Sequence, residues 1–199
     1  MIYVFQIIVL ISSAIIHEYM HGWMAYRLGD STAKDAGRLT FNPLAHLEFF
    51  GSFFLPLVMI VTNMPFVFGW AKPVPYNPYN LRDHKYGDAK VALAGPLGNF
   101  IIALFFGLFL RFFPIVNLTF TGLVSLIVYI NLVLMIFNLV PLPPLDGSKI
   151  LAAFLPEKIK YKFLSLEKYG FILVILFVML AGDIIMPVVN TLFKIIVGA

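Results

Sequence analysis

Residues 14–24 read AIIHEYMHGWM and place two histidines and one glutamate inside an otherwise apolar segment. That segment runs from about Ile2 to about Tyr26, which is long enough for a helix that crosses a bilayer. On insertion scales an ionisable side chain at the centre of a membrane helix is unfavourable by about 3 kcal/mol, and such residues mark function by default. Three of them within five positions require a common explanation.

A shared metal ion supplies that explanation. His17 and His21 are four residues apart, so a helix places both imidazoles on one face, one turn apart. Glu18 lies beside them, where its carboxylate can take a proton from water. This H-E-x-x-H spacing is typical of zinc metalloproteases. The chain has no cysteine, so any metal must be bound by His, Asp or Glu.

Composition indicates a membrane protein. Of the 199 residues, 61% are hydrophobic and only 12% are charged, whereas soluble domains carry about 25% charged residues. The net charge of +4 is no nucleic-acid signal, because the basic residues lie in loops between apolar segments. We expect an all-α polytopic membrane protein with one membrane-embedded domain over residues 1–199. Its core covers about 10–155, and an additional C-terminal helix covers 169–199.

Five apolar segments can be distinguished, and the second differs from the others. After the first segment they cover about 49–68, 89–113, 118–140 and 169–187. Segment 49–68 contains Pro56 and Pro65, which interrupt a helix. If it returns to the side it left, twelve of the fourteen Lys and Arg residues lie on one side, as the positive-inside rule favours. The sequence therefore predicts about four transmembrane helices, a re-entrant segment and an N-terminus outside.

A third metal ligand is expected where the fourth apolar segment ends. Residues 137–149 read FNLVPLPPLDGSK, and their prolines stop the helix just before Asp146. A catalytic zinc ion takes three protein ligands and keeps one position open. With segment 49–68 re-entrant, Asp146 faces the same side as His17 and His21, so charge asymmetry and metal geometry favour one topology. His46 and His84, in loops on that side, are weaker candidates.

Three motifs together resemble the site-2 protease family of intramembrane zinc metalloproteases. They are HEYMH at 17–21, AGPLGN at 94–99 and NLVPLPPLDG at 138–147. The resemblance implies one zinc ion per chain, with His17, His21 and Asp146 as its ligands and Glu18 as general base. It also implies that Asn99 and Asn138 orient substrate or stabilise the reaction intermediate. Hydrogen bonding between helices is the alternative explanation for these two amides.

The resemblance also implies a substrate and a location. The expected partners are a transmembrane protein substrate and the lipid bilayer, with the active site nearer the cytosolic side of the cell membrane. FGWAKPVPYNP at 68–78 resembles the strand-forming segment of compact family members. Pro73 and Pro75 lack N–H donors, as sheet edges tolerate, so we expect a short β-strand over residues 69–75 that binds substrate by strand addition. A plain loop that covers the cavity is the alternative. The length leaves no room for the PDZ or nucleotide-sensing domain of many members.

Two other functions remain open at this point. One is a zinc-binding membrane protein without catalysis, either a degenerate protease or a metal transporter. Glu18 speaks against it, because a structural zinc site needs no such carboxylate. The other is a different membrane zinc protease that uses a downstream glutamate as third ligand. The aspartate within PPLDG speaks against that family.

Overall fold

The computed structural model describes residues 2–46, 48, 54, 58, 61–62, 72–113 and 117–198, with only the backbone described for 180–183. Eight α-helices lie within these residues. They are α1 (Ile2–Arg27), α2 (Thr32–Asp35), α3 (Pro43–His46), α4 (Gly87–Phe112), α5 (Leu118–Leu139), α6 (Asp146–Ala152), α7 (Glu157–Leu164) and α8 (Gly170–Val197). Single 3-10 turns cover Pro78–Asn80 and Ser165–Tyr169.

Three of the described helices, α1, α4 and α5, are long and apolar enough to cross a membrane. They contain 26, 26 and 22 residues, and about 20 residues suffice to span the hydrocarbon core. The first, third and fourth apolar segments of the sequence correspond to them. Much of α1 is apolar and exposed, as a lipid-facing helix should be; these residues include Ile2, Tyr3, Val4, Ile7, Ile8, Leu10 and Ile11.

The C-terminal helix that the sequence predicts over 169–199 corresponds to α8 (Gly170–Val197), and this helix is bent. Residues 157–179 and 184–197 meet the length and composition criteria only together, as two helices with 68° between them. The described residues thus contain three spans, or four if this bent pair forms one span, and the predicted four transmembrane helices stay a prediction. The fifth apolar segment lies within α8.

Helix α4 lies between α1 and α5 and contacts both. The core between α4, α5 and α8 contains Ala103, Val128, Leu132 and Val189, all fully buried. Gly107 of α4 faces Ile196 of α8 so closely that a Cβ atom at this position would overlap the isoleucine side chain. Small residues at such crossings let membrane helices approach each other.

The end of α5 turns the chain back toward the bundle. Val140 leaves the helix in an extended conformation, as expected because the nearby prolines cannot continue the helical hydrogen bonds. Helix α6 then begins at Asp146. The backbone of Gly147 lies against the Leu139 carbonyl group, where a Cβ atom would overlap the oxygen. Gly147 thus permits the turn that brings Asp146 to the end of the bundle where α5 ends.

Residues 72–77, which we call the strap, run across the end of the bundle where α1 ends and α4 begins. At the start of the strap, the Lys72 N–H donates to the His46 carbonyl at 2.9 Å and Arg38 donates to the Lys72 carbonyl at 2.8 Å. At its end, the Asn77 N–H donates to Asp30 at 2.7 Å. Residues 28–46 and 72–86 therefore lie at the same end of the bundle.

That arrangement bears on two predictions. The predicted re-entrant segment 49–68 lies outside the described residues except for positions 54, 58, 61 and 62, so re-entry stays a prediction. The predicted β-strand at 69–75 requires a correction: residues 69–71 are not described, and the described residues 72–75 form no strand. Arg38 and Glu18 take up backbone groups that a neighbouring strand would need.

Candidate metal centre

The three predicted ligands converge on one point. The Nε2 atoms of His17 and His21 are 3.0 Å apart, and Asp146 Oδ2 lies 3.1 Å from the first and 3.2 Å from the second. A tetrahedral zinc ion with ligand distances of about 2.0–2.1 Å holds its ligand atoms about 3.3 Å apart. Among the described residues, this group of histidine and carboxylate side chains could hold a metal ion.

A backbone carbonyl determines the tautomer of His21. Its Nδ1 atom lies 2.7 Å from the Val91 carbonyl oxygen of α4. A carbonyl oxygen only accepts hydrogen bonds, so Nδ1 must carry the proton. The Nε2 atom of the neutral ring then presents a lone pair toward Asp146 and His17.

A side-chain amide does the same for His17. Its Nδ1 atom lies 2.7 Å from Asn99 Oδ1. The amide orientation follows from its other partners, because Asn99 Nδ2 donates to the Ser13 carbonyl at 3.2 Å and to Asn131 Oδ1 at 3.0 Å. Asn99 must therefore accept from His17, which leaves the lone pair of His17 Nε2 at the centre as well. Metal-bound histidines are commonly oriented by such partners.

The donor set fits a divalent metal ion. Two imidazole lone pairs and a carboxylate oxygen meet within 3.2 Å, and both Nδ1 hydrogen bonds keep protons away from the centre. Without a cation these groups repel one another. Burial by itself would raise the pKa of the Asp146 carboxyl, but positive charge at the two imidazoles outweighs this effect and holds the pKa below its usual range, and a bound metal cation would act in the same direction. Asp146 is thus ionised, as a metal ligand must be.

Asn131 and Ser13 belong to the same hydrogen-bond network, and the sequence analysis missed both. Asn131 Nδ2 donates to Ser13 Oγ at 3.0 Å and to the Ile127 carbonyl at 2.9 Å. Asn99 and Asn131 are completely buried, and Ser13 is nearly so. The available signal was an amide within each apolar helix, since buried amides need partners. Hydropathy alone does not say which amides face each other.

Gly95 provides the space in which the two imidazoles sit. A Cβ atom at this position would overlap His21 Nε2 and would lie 2.7 Å from His17 Cε1. The GPLGN sequence thus brings the bare backbone of α4 against the metal-binding face of α1. Gly98 does the same one turn later, where a Cβ atom would lie 2.7 Å from Met20 Cγ.

Glu18 faces the same cavity as the ligands and is held by the strap. The cavity has a volume of about 260 Å³, and Glu18, His17, His21 and Asp146 all line it. The Val74 N–H donates to Glu18 Oε2 at 2.8 Å. Gly22 of α1 allows this contact, because a Cβ atom there would lie 2.8 Å from Val74 Cγ1. Burial of Val74 against α1 therefore places a backbone donor on the predicted base.

The strap offers few donors for the predicted strand addition. Lys72 N–H is bonded to His46 and Val74 N–H to Glu18. Pro73 and Pro75 have no N–H group. Between residues 72 and 75 no amide hydrogen is left for a substrate strand. A substrate that pairs with this segment would have to displace one of these bonds.

The two predicted substrate-orienting amides lie in different places. Asn138 lines the cavity, and its Nδ2 donates to the Leu134 carbonyl at 2.9 Å. Asn99 is bonded to His17 and is not among the residues that line the cavity. The predicted roles of both stay predictions. His46 lies apart from the centre, with Nε2 2.8 Å from the Thr40 carbonyl, and His84 lines a separate groove.

A tyrosine and a lysine, both missed by the sequence analysis, complete the cavity. Tyr76 of the strap donates a hydrogen bond to Asp88 and accepts one from Lys149 Nζ at 3.1 Å. Burial and then the Asp88 carboxylate raise the pKa of Tyr76 well above its ordinary value. The phenol therefore stays protonated. Lys149 lies one helical turn after Asp146 and brings a positive charge to the cavity wall.

Comparisons with known proteins agree with this site. The model of peptidase family M50 matches residues 111–182. The chain is 38% identical over 197 residues to YwhC of Bacillus subtilis, with 94% of this chain and 86% of the relative covered. It is 33% identical to MJ0611 of Methanocaldococcus jannaschii, covering 76% and 71% of the two chains, and 27% identical to Rip2 of Mycolicibacterium smegmatis, covering 82% and 62%. All three are provisionally named as zinc metalloproteases. No solved structure matches the chain.

Proposed function

The chain belongs to peptidase family M50, the site-2 protease family, and we propose that it is an intramembrane zinc endopeptidase that cleaves transmembrane helices of membrane-protein substrates. The single observation that carries this proposal is the convergence of two oriented imidazoles and a carboxylate beside a second carboxylate, that of Glu18. The first three groups suit a metal with an open position, and the fourth suits a general base.

The metal proposed is one zinc ion per chain. The donor set of two histidines and one aspartate suits zinc, and the names of the relatives support the same metal. His17, His21 and Asp146 would hold it. When bound, zinc supplies a Lewis acid that polarises a peptide carbonyl and lets water act as a nucleophile at neutral pH.

Glu18 performs the proton transfers in the proposed reaction. Its carboxylate takes a proton from the attacking water and then gives it to the departing amine. The Val74 N–H holds Oε2, which limits the rotation of the carboxylate beside the cavity that Glu18 lines. Asn138, on the cavity wall, would bind the substrate backbone near the reacting bond. The Lys149 ammonium adds a donor on the cavity wall, whereas the Tyr76 hydroxyl hydrogen is engaged by Asp88.

The position of the site favours a membrane-embedded substrate. His17 lies ten residues before Arg27, the end of α1, which is about 15 Å along a helix. A transmembrane substrate reaches that depth without leaving the bilayer. Its own helical hydrogen bonds shield the scissile bond, so the substrate helix must unwind locally. The distribution of Lys and Arg supports a cytosolic position for this end of the bundle if segment 49–68 re-enters, and we propose the cell membrane as location.

The experiment that tests the proposal combines zinc content with cleavage in detergent or liposomes. The parent protein should contain about one zinc per chain and cleave a single-pass substrate within its transmembrane helix. Glu18→Gln should keep zinc and abolish cleavage, since it removes only the base. His17→Ala and Asp146→Ala should lose zinc. A folded parent with zinc but no activity on any helical substrate would favour a non-catalytic zinc-binding membrane protein instead.

A further inference from the structure

A second groove lies next to the catalytic cavity and shares one wall with it. The groove has a volume of about 500 Å³ and is lined by residues 78–88 on one side and 149–164 on the other. Lys149 lines both spaces. The hydrogen bonds from Tyr76 to Asp88 and from Lys149 to Tyr76 form the partition between them. A chain that leaves the catalytic cavity past this partition enters the groove.

Positive charge prevails in the groove. Lys85, Lys149 and Lys160 face it together with two carboxylates, Asp83 and Asp88. Both carboxylates are already engaged, Asp83 by Lys90 at 2.6 Å and Asp88 by the Tyr76 hydroxyl.

The three ammonium groups are less well neutralised. Lys149 contacts a phenol, and Lys85 lies over the ring of Tyr86. Lys160 has only Glu157, at 3.8 Å, and that carboxylate is largely exposed. Among the described residues, no carboxylate lies within ion-pair distance of Lys85 or Lys149. The groove thus offers cations to an incoming anionic group.

The groove lies where a substrate would emerge from the membrane. Its first side precedes α4, which begins at Gly87, and its second side follows the end of α5 at Leu139. Both are the ends of spans nearest His21 and Asp146. Tyr79 and Tyr161 add exposed aromatic rings, a residue type that is common where proteins meet the membrane interface.

We propose that this groove binds the juxtamembrane segment of the substrate on the active-site side, and that it prefers an acidic segment there. The inference rests on the proposed function, because the occupant is the continuation of the chain that is cleaved. A peptide is favoured over a lipid headgroup because the groove continues the catalytic cavity through Lys149. The groove thereby contributes to substrate choice at a place separate from the reacting bond.

The test compares two fluorescently labelled single-pass substrates in a neutral detergent. They are identical except for four juxtamembrane positions, which are Asp and Glu in one and Asn and Gln in the other. The protein is the Glu18→Gln variant, so that binding is measured without cleavage. The acidic substrate should bind about fivefold more tightly, a factor that two or three exposed ion pairs can supply, and added salt should reduce the difference.

Substitutions of the groove lysines test whether the groove causes the preference for the acidic substrate. On the Glu18→Gln background, Lys85→Gln with Lys160→Gln should abolish the preference and leave binding of the neutral substrate unchanged. The matched control is Lys158→Gln with Lys162→Gln, which removes two exposed lysines that do not line the groove and should keep the preference. Equal binding of both substrates to the Glu18→Gln protein would overturn the proposal. The proposal would also fail if the control substitutions reduced the preference for the acidic substrate as much as the groove substitutions do.

Two further outcomes distinguish peptide binding in the groove from lipid binding and from the proposed protease activity. If phosphatidylglycerol added to the micelles competes away the preference, the groove binds lipid headgroups and the peptide proposal fails. The proposed protease activity is judged separately, by cleavage of the neutral substrate by the parent protein. Absence of cleavage there would reject the protease, while a binding preference abolished by the two groove substitutions would still support the groove.

Discussion

At the scale of single residues, the metal centre depends on neutral polar groups as much as on its charged ligands. Asn99 orients His17, and the Val91 carbonyl orients His21. Asn131 and Ser13 in turn fix the amide of Asn99. Loss of one such partner typically lowers metal affinity by about 10- to 100-fold.

Asn131→Leu should therefore weaken zinc binding although Asn131 touches no ligand. We expect about tenfold weaker affinity, because Asn99 loses the partner that determines its orientation. The measurement is zinc competition with a chelator, and cobalt substitution adds a spectroscopic signature of the ligand geometry. The matched comparison is Asn138→Leu, which should leave zinc affinity unchanged and lower turnover. Equal zinc affinity in parent and Asn131→Leu would show that the network is only structural.

Gly95→Ala should disrupt the centre with one added methyl group. The new Cβ atom would overlap the His21 ring and press on His17, so the imidazoles must move apart. We expect loss of bound zinc and at least about 100-fold lower cleavage, since an ångström of misplacement can reduce a rate by that factor. Gly122→Ala is the control, because nothing lies within 4 Å of a Cβ atom there. Full zinc occupancy in Gly95→Ala would contradict the assignment.

The residues of the centre were predictable to different degrees. His17, His21 and Glu18 follow from helical spacing, and Asp146 from the prolines that end α5, so local sequence sufficed for them. Asn131 and Ser13 were missed because their pairing depends on how three helices rotate against each other. The cavity groups Tyr76 and Lys149 were missed because the strap that carries Tyr76 takes its course from distant side chains.

At the scale of elements, the strap is positioned by side chains at its two ends. Arg38 holds the carbonyl groups of Lys72 and Pro73. Asp30 accepts from the Asn77 N–H, the Asn80 side chain and Thr32. The alternating prolines of this segment predict a strand at a sheet edge, where an N–H group is not needed. The described residues 72–75 form no strand, and their backbone groups bond to His46, Arg38 and Glu18 where a neighbouring strand would bind.

Asp30 should make the stability of this region depend on pH. Burial by itself would raise the pKa of this carboxyl, but the hydrogen bonds from Thr32, Asn77 and Asn80 lower it. Because the pKa of this carboxyl is lower in the folded protein than in the unfolded chain, the ionised carboxylate stabilises the fold above the unfolded-chain pKa of about 3.9. This stabilisation is lost as the pH falls through the folded-state pKa.

Asp30→Asn should thus reduce the free energy of unfolding by about 1–3 kcal/mol at neutral pH. The difference in free energy of unfolding between the variant and the parent should become smaller below about pH 4. Thermal melting in detergent across this pH range measures both effects. The exposed Asp35→Asn in the same loop region should melt near the parent. A difference in melting temperature between parent and Asp30→Asn that stays constant down to pH 2 would contradict the role of the ionised carboxylate.

At the scale of the whole molecule, three spans bring their polar residues to one depth. Helix α1 ends, α4 begins and α5 ends at the same end of the bundle, so the loops that carry Asp30, the strap and Asp146 lie together. Hydropathy was enough to predict these spans, because long apolar runs have few alternatives. The 68° bend within the C-terminal pair does not follow from hydropathy, which reports only how apolar a segment is.

The topology can be tested because the chain contains no cysteine. Single cysteines at Lys34, Lys85 and Lys158 should be labelled from the same face of the membrane, and a cysteine at Asn117 from the opposite face. An impermeant maleimide applied to intact cells and to inverted vesicles distinguishes the two faces. We expect the first three to react only in inverted vesicles. Labelling of the Lys34 position from outside would refute the predicted re-entry of segment 49–68.

The buried amide network also has a consequence for how the chain is made. Helix α1 precedes α4 and α5 in the chain, so its Ser13, two histidines and glutamate enter the bilayer before their partners on those helices. Asn99 and Asn131 arrive later, each on its own span. Each of these spans thus carries polar side chains that are unfavourable in lipid until the helices pack against one another. Polar groups left unpaired in hydrocarbon should therefore make an incompletely assembled bundle less stable than the complete one.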